Sequence, residues 1–185
     1  MRKLVIYGEN NKQYPVFLGR DLLERDDWLE EVKFPSSLGV IITNSRVGPF
    51  YEEKVSSFFS QRGFNIQIVT VPDGEEYKNL STVGFIYSQL LGLDLDRRSF
   101  LLALGGGVIT DITGFVASTF LRGVSYFSIP TTLLAQVDSS IGGKTGVNLP
   151  QGKNLVGTFY PPGGVFIDLS FLRTLPPREY NEGLA

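Results

Sequence analysis

Residues 100–111 read FLLALGGGVITD, an apolar run emptying into three glycines and then into a helical stretch. The unbroken run Phe100–Leu104 suits a strand buried on both faces, the normal state of a parallel sheet. After the glycines, apolar residues continue through Phe115 and Phe120 at helical spacing. Glycine weakens strands and helices unless the backbone must be approached closely or take unusual dihedrals. Bare N–H groups at the start of a helix suit a pyrophosphate, and glycine lets it come near. The bland alternative is a tight turn in which Asp111 only favours the helix dipole. Three successive glycines make that the weaker reading. The dinucleotide fingerprint G-x-G-x-x-G is not met, because Thr110 stands where the third glycine belongs.

The same alternation extends outward from this turn. Lys3–Tyr7 and Tyr14–Leu18 bracket a polar turn over Gly8–Gln13 and predict a hairpin. A short helix is expected over Asp21–Val32. Leu38–Thr43 is another continuous apolar run, followed by Tyr51, Val55, Phe58 and Phe59 at helical spacing, with Gly63 placed as a C-terminal cap. Asn65–Val71 is the next strand. Leu80, Val83, Tyr87, Leu90 and Leu91 form a further helical stripe that stops near Gly92. Alternating strands and helices predict an α/β fold: one Rossmann-like domain over 1–185, a mostly parallel sheet with helices on both faces, preceded by the hairpin. Ligands of such sheets bind at the carboxyl ends of the strands. Asn44, Pro72–Lys78, Gly105–Asp111 and Pro130–Thr132 all fall there.

Composition narrows the function. A hydrophobic content of 42% and a charged content of 19% over 185 residues are those of a globular protein. A net charge of -2, from 17 basic and 19 acidic residues, leaves no electrostatic footprint for nucleic acid, although local lysines can still meet a phosphorylated small molecule. The absence of cysteine removes thiolate metal sites, and the absence of histidine removes the commonest general base and metal ligand. Any metal here would have to be held by carboxylates and carbonyls alone. The apolar run Leu4–Tyr7 is too short for a signal peptide, and nothing approaches the roughly 20 apolar residues of a membrane span. A cytoplasmic protein without a membrane partner is expected.

Four other segments carry chemistry. GGKT (Gly142–Thr145) is not a P-loop, since Asp138 occupies the position of that motif's first glycine. Lys144 alone would read as a solvated lysine, but Gly152-Lys153-Asn154 close behind it tips the balance toward ligand binding. PDGEEYK (Pro72–Lys78) is ordinary turn chemistry by itself. In IPTT (Ile129–Thr132) either Thr131 or Thr132 can cap a helix, which does not prevent ligand contact. Asp138 lies in an otherwise apolar-to-small segment, where a carboxylate needs a partner or a task. Arg122, at the end of the helix that follows the glycines, reads best as a cation favoured by the helix dipole.

Taken together, PDGEEYKNL, GGGVITDITGF, FLRGV, IPTTLLAQVDSSIGGKTGVN, GKNLVGTFYPP and TLPPRE resemble the N-terminal part of the dehydroquinate synthases, members of the sugar-phosphate cyclases. The resemblance runs from Thr43–Asn44 to Ala185. It implies an NAD-dependent and metal-dependent conversion of 3-deoxy-D-arabino-heptulosonate 7-phosphate to 3-dehydroquinate, a step of the shikimate pathway. In that family a substrate hydroxyl is oxidised by NAD, phosphate is eliminated, the carbonyl is reduced again, and ring opening with an aldol closure completes the turnover. Matching positions imply that Asp73, Glu75 and Lys78 meet the adenosine and ribose side of NAD. Gly106, Gly107, Val108 and Asp111 would hold its phosphates and nicotinamide end, beside Thr131 and Thr132, with Phe171 and Thr174 also lining it. Asp138, Lys144 and Asn154 would hold the phosphorylated heptulosonate, with Lys153 at the edge of both sites. Arg122 would reach the phosphate site of the neighbouring subunit of a homodimer, which revises the dipole reading. The family's zinc or cobalt ligands, a glutamate and two histidines in a helical domain, would lie beyond Ala185, so the fragment alone is expected to be inactive. Asn44 and Thr110 depart from the aspartate and glycine frequent at those positions. A related cyclase, or a free-standing nucleotide-binding module, remains the alternative.

Overall fold

The computed structural model describes residues 1–7 and 13–185. Four strands form the parallel heart of a sheet: β3 (Leu38–Asn44), β4 (Asn65–Val71), β5 (Phe100–Gly105) and β6 (Ser125–Pro130). β5 is buried along its whole length, as its composition requires. The expected hairpin forms from β1 (Arg2–Tyr7) and β2 (Gln13–Gly19), paired antiparallel; residues 8–12 of its turn lie outside the described residues. The hairpin joins the parallel strands through β9 (Val165–Asp168), giving the order β1-β2-β9-β6-β5-β3-β4. β9 was not anticipated. It is only four residues long and follows Pro-Pro-Gly-Gly, so the sequence shows a loop signal and too little run.

Helices cover both faces. α1 (Gly48–Ser60) packs Val55, Phe58 and Phe59 into one core with Trp28, Phe100, Phe127 and Phe166. It ends in a Schellman cap: Gly63 takes φ 85°, and the Phe64 N–H reaches the Phe59 carbonyl at 3.2 Å. α2 (Leu80–Leu91) and α3 (Gly107–Thr119) bury the other face with Val40, Ile42, Leu101 and Ala103. The buried stripe of α2 is Val83, Ile86 and Leu90; Leu80 and Leu91 of the expected stripe are exposed. α4 (Pro177–Glu182) comes last.

The helix expected over Asp21–Val32 is instead a pair of short 3₁₀ turns, Leu22–Glu24 and Leu29–Glu31. Tertiary hydrogen bonds take the groups a helix would use. The buried Asp168 carboxylate accepts from the Asp21 and Leu22 N–H groups at 2.9 and 2.7 Å, and the Trp28 indole donates to the Leu22 carbonyl at 2.9 Å. Asp21 itself is left-handed, at φ 54°.

The lysine-containing segments expected as loops form a second, two-stranded sheet, β7 (Lys144–Leu149) paired antiparallel with β8 (Gly152–Phe159). It lies on α3 at Gly114, where an added Cβ would stand 2.3 Å from the Thr145 methyl and 3.1 Å from the Tyr126 ring. A mid-helix glycine costs about 1 kcal/mol relative to alanine, and here it admits a strand.

Candidate functional site: two clefts flanking the glycine turn

The carboxyl ends of β3, β4, β5 and β6 open into a cleft of about 480 Å³. One wall is the glycine turn. Gly106 precedes α3 and offers no capping side chain, and the helix's own bonds begin at Ile109 and Thr110, which donate to the Gly106 carbonyl. The Gly107 and Val108 N–H groups at the cleft wall are therefore without helical partners. A Cβ on Gly106 would press on Thr132 at 3.0 Å, and one on Gly107 on Ser139 at 3.1 Å. Thr132 caps the next turn by accepting from the Ala135 N–H at 3.2 Å, whereas the Thr131 hydroxyl is buried without a partner. Free N–H groups, a bare glycine surface and an unpartnered hydroxyl are what a pyrophosphate needs, so these residues fit a dinucleotide.

The far end of the cleft is polar. The Asn44 amide donates to the Asp73 carboxylate at 2.7 Å and accepts from the Arg46 and Val47 N–H groups, which organises the entry to α1. Arg46 spans Asp73, at 3.7 Å, and Glu179 on α4, at 2.7 Å. Glu75 and Thr174 also line this cleft.

A second cleft of about 480 Å³ lies between α3 and the β7–β8 hairpin, lined by Asp111, Asp138, Ser139, Lys144 and Asn154 among others. Asp138 is presented by a π-helical turn, Ala135–Ser139, an arrangement that recurs at functional sites. Asp138, Lys144 and Asn154 are all exposed to solvent. Between the two clefts sits Lys78, 5% exposed, its ammonium paired with Asp111 and donating to the Asn154 amide oxygen at 2.7 Å. Burial pushes the Asp111 carboxyl above the ordinary carboxylate range, and Lys78 pulls it back only in part.

The sequence-selected residues therefore divide. Asp73, Glu75, Gly106, Gly107, Val108, Thr131, Thr132 and Thr174 share the first cleft. Asp111, Asp138, Lys144 and Asn154 share the second, so Asp111 lies apart from the glycines it follows. Lys153 is exposed beside Glu75, at 3.6 Å, and lines neither. Phe171 also lines neither: its ring is buried against Tyr51 in the aromatic core, centroids 4.5 Å apart. Arg122 does not close α3, which ends at Thr119; it follows in a left-handed turn, at φ 65°, beyond the last helical carbonyl. Asn148 was missed, because its partner Glu75 stands 73 residues away in sequence. Among the described residues no group of three or more His, Cys, Asp or Glu side chains comes together to hold a metal ion. Nor is any helix long and apolar enough to cross a membrane.

Residues 68–182 match the family described as 3-dehydroquinate synthase N-terminal. A 3-dehydroquinate synthase from Geobacter sp. (strain M21) is 47% identical over 175 residues, 95% of this chain and 48% of that protein. A 2-deoxy-scyllo-inosose synthase complexed with carbaglucose-6-phosphate, NAD+ and Co2+ superposes with a TM-score of 0.90 at 31% identity, over 99% of this chain and 49% of that one. A 2-epi-5-epi-valiolone synthase from Streptomyces hygroscopicus subsp. jinggangensis 5008, with NAD+ and Zn2+ bound, gives 0.85 at 30% identity, over 97% and 49%. The chain spans about half the length of these relatives.

Proposed function

This chain belongs to the 3-dehydroquinate synthase family, and we propose that it is the dinucleotide-binding half of an enzyme that converts 3-deoxy-D-arabino-heptulosonate 7-phosphate to 3-dehydroquinate with loss of phosphate. The observation that carries the reading is the first cleft, where the helix N–H groups of Gly107 and Val108 stand free on a glycine surface at the carboxyl ends of the strands. The 47% identity to a 3-dehydroquinate synthase, against 31% to an inosose synthase, supports this substrate over another cyclitol precursor.

NAD, when bound, supplies a reversible hydride acceptor. The Gly107 and Val108 N–H groups and the Thr131 and Thr132 hydroxyls hold its pyrophosphate, and Asp73 accepts from a ribose hydroxyl. Lys78 keeps Asp111 and Asn154 in place between the clefts. Across the second cleft, Lys144 neutralises the substrate's anionic groups while Asp138 and Asn154 hydrogen-bond its hydroxyls. A divalent metal, Co2+ or Zn2+ in the related cyclases, would be held by the glutamate and two histidines that the resemblance places outside this chain. The full enzyme works in the cytoplasm as a homodimer, in which the exposed Arg122 reaches the partner's phosphate site.

Calorimetric titration of the chain with NAD tests the reading. Saturable binding is expected in the wild type and none in Gly106→Val, whose added methyls enter the cleft while Thr132 yields by tenths of an ångström. A wild type that does not bind NAD overturns the cofactor assignment. Formation of dehydroquinate by the chain alone overturns the claim that it is only half of a site.

A further inference from the structure

We infer that Asn148 is a positioning residue that ties the two clefts together, an assignment that rests on the functional reading above for its consequences and on hydrogen bonds for its existence. The Asn148 amide is used at both ends. Its Nδ2 donates to the Glu75 carboxylate at 2.8 Å, and its Oδ1 accepts from the Asn154 N–H at 2.9 Å. The two partners fix the amide's orientation, because a flipped amide would set an oxygen against a carboxylate and an NH₂ against an N–H. The main chain anchors the same residue: the Asn148 N–H donates to the Lys78 carbonyl at 2.7 Å, and a parallel bridge joins Asn148 to Asn79.

Each partner faces a different cleft. Glu75 lines the first, and Asn154 lines the second. Asn154 sits in the left-handed region at φ 56°, uncommon for a residue other than glycine, so its conformation needs an external hold. Asn148 supplies that hold. Asn154 in turn accepts from Lys78, which pairs with Asp111. The chain Glu75, Asn148, Asn154, Lys78, Asp111 therefore runs from one cleft to the other, with Asn148 joining the two walls. Asn148 touches neither cleft itself and acts through these neighbours.

The test combines amide hydrogen exchange with NAD titration on the chain and two variants. In Asn148→Ala the Asn154 amide is expected to exchange about tenfold faster, as one hydrogen bond is worth, and NAD affinity to fall about three- to tenfold as Glu75 loses its donor. Asn148→Asp keeps an acceptor for Asn154 but sets a carboxylate against Glu75. It should restore Asn154 protection while NAD binding stays weak. That split cannot arise from a residue that only stabilises the fold. Unchanged Asn154 exchange in Asn148→Ala overturns the inference, as do variants that shift only the melting temperature while NAD affinity stays at the wild-type value. A wild type that fails to bind NAD overturns the functional reading instead, and the exchange experiment still decides the link to Asn154.

Discussion

The two clefts enclose about the same volume, about 480 Å³ each, yet they are made of different material. The first is set where four parallel strands stop and α3 begins, with the bare main chain of Gly106 and Gly107 on one wall. The second is a side-chain site, with Asp138, Lys144 and Asn154 extending from a turn and a two-stranded ribbon that leans on α3. A lone hairpin is marginal in water, so the second cleft borrows its rigidity from the helix beneath it and from the buried Lys78. The first cleft is a consequence of the fold. The second depends on a few contacts added to it.

If that contrast is sound, the largest effect should come from Lys78. Removing one partner of a buried ion pair costs a few kcal/mol, because the other charge stays behind. Lys78→Met is expected to lower stability by about 3 kcal/mol at neutral pH in urea denaturation, moderated by the partial exposure of Asp111, which keeps 17% of its side-chain surface. The loss should shrink in acid, where Asp111 can take up a proton. A variant as stable as the wild type would show that the pair contributes nothing and that the second cleft does not depend on it.

Gly114→Val comes next. The new side chain collides with the Thr145 methyl and the Tyr126 ring, and overpacking of this kind costs about 2 kcal/mol. Amide protection should fall in β7 and β8, while NAD affinity falls by no more than the three- to tenfold that loss of the Asn148 link to Glu75 allows. Equal loss at both sites would mean that the clefts are one cooperative unit and that the contrast between them is false.

The same contrast explains what could be read from the residues. The strands β3 and β5 announce themselves because parallel strands buried on both faces must be continuous apolar runs, whereas β4, at the sheet edge, alternates polar and apolar residues. Gly105–Gly107 announce the first cleft, because a bare main-chain wall leaves glycine as its trace. The β7–β8 ribbon leaves none: β8 is half exposed and interrupted by Gly157, so its pattern is that of a loop. Asp138 and Lys144 stood out by local context, a carboxylate among small residues and a lysine followed closely by Gly152-Lys153-Asn154, and only their role toward substrate came from the family resemblance. Asn148 and the buried position of Phe171 depend on partners from other elements, which no local pattern encodes. The Asp21–Val32 error has the same origin, since Asp168 lies far along the chain from the N–H groups it takes.

The smallest effect is one of pH. Burial raises the Asp111 carboxyl above its ordinary value of 3.8, with the Lys78 contact opposing the shift incompletely. A carboxyl raised in the folded state binds its proton more tightly there than in the unfolded chain. Between the two values the folded protein holds more protons, so stability must fall as pH rises through the window just above 3.8. This is opposite in sign to the exposed Asp27 and Asp96, whose carboxyls are lowered by Arg25 and by the Arg98 N–H respectively, and which add stability as pH rises. The difference between wild type and Asp111→Asn isolates the one group. Urea midpoints measured across that window should show the wild type losing ground to the variant as pH increases. The opposite slope would mean that Lys78 dominates over burial, and that the junction between the clefts is held by charge and not merely tolerated by it.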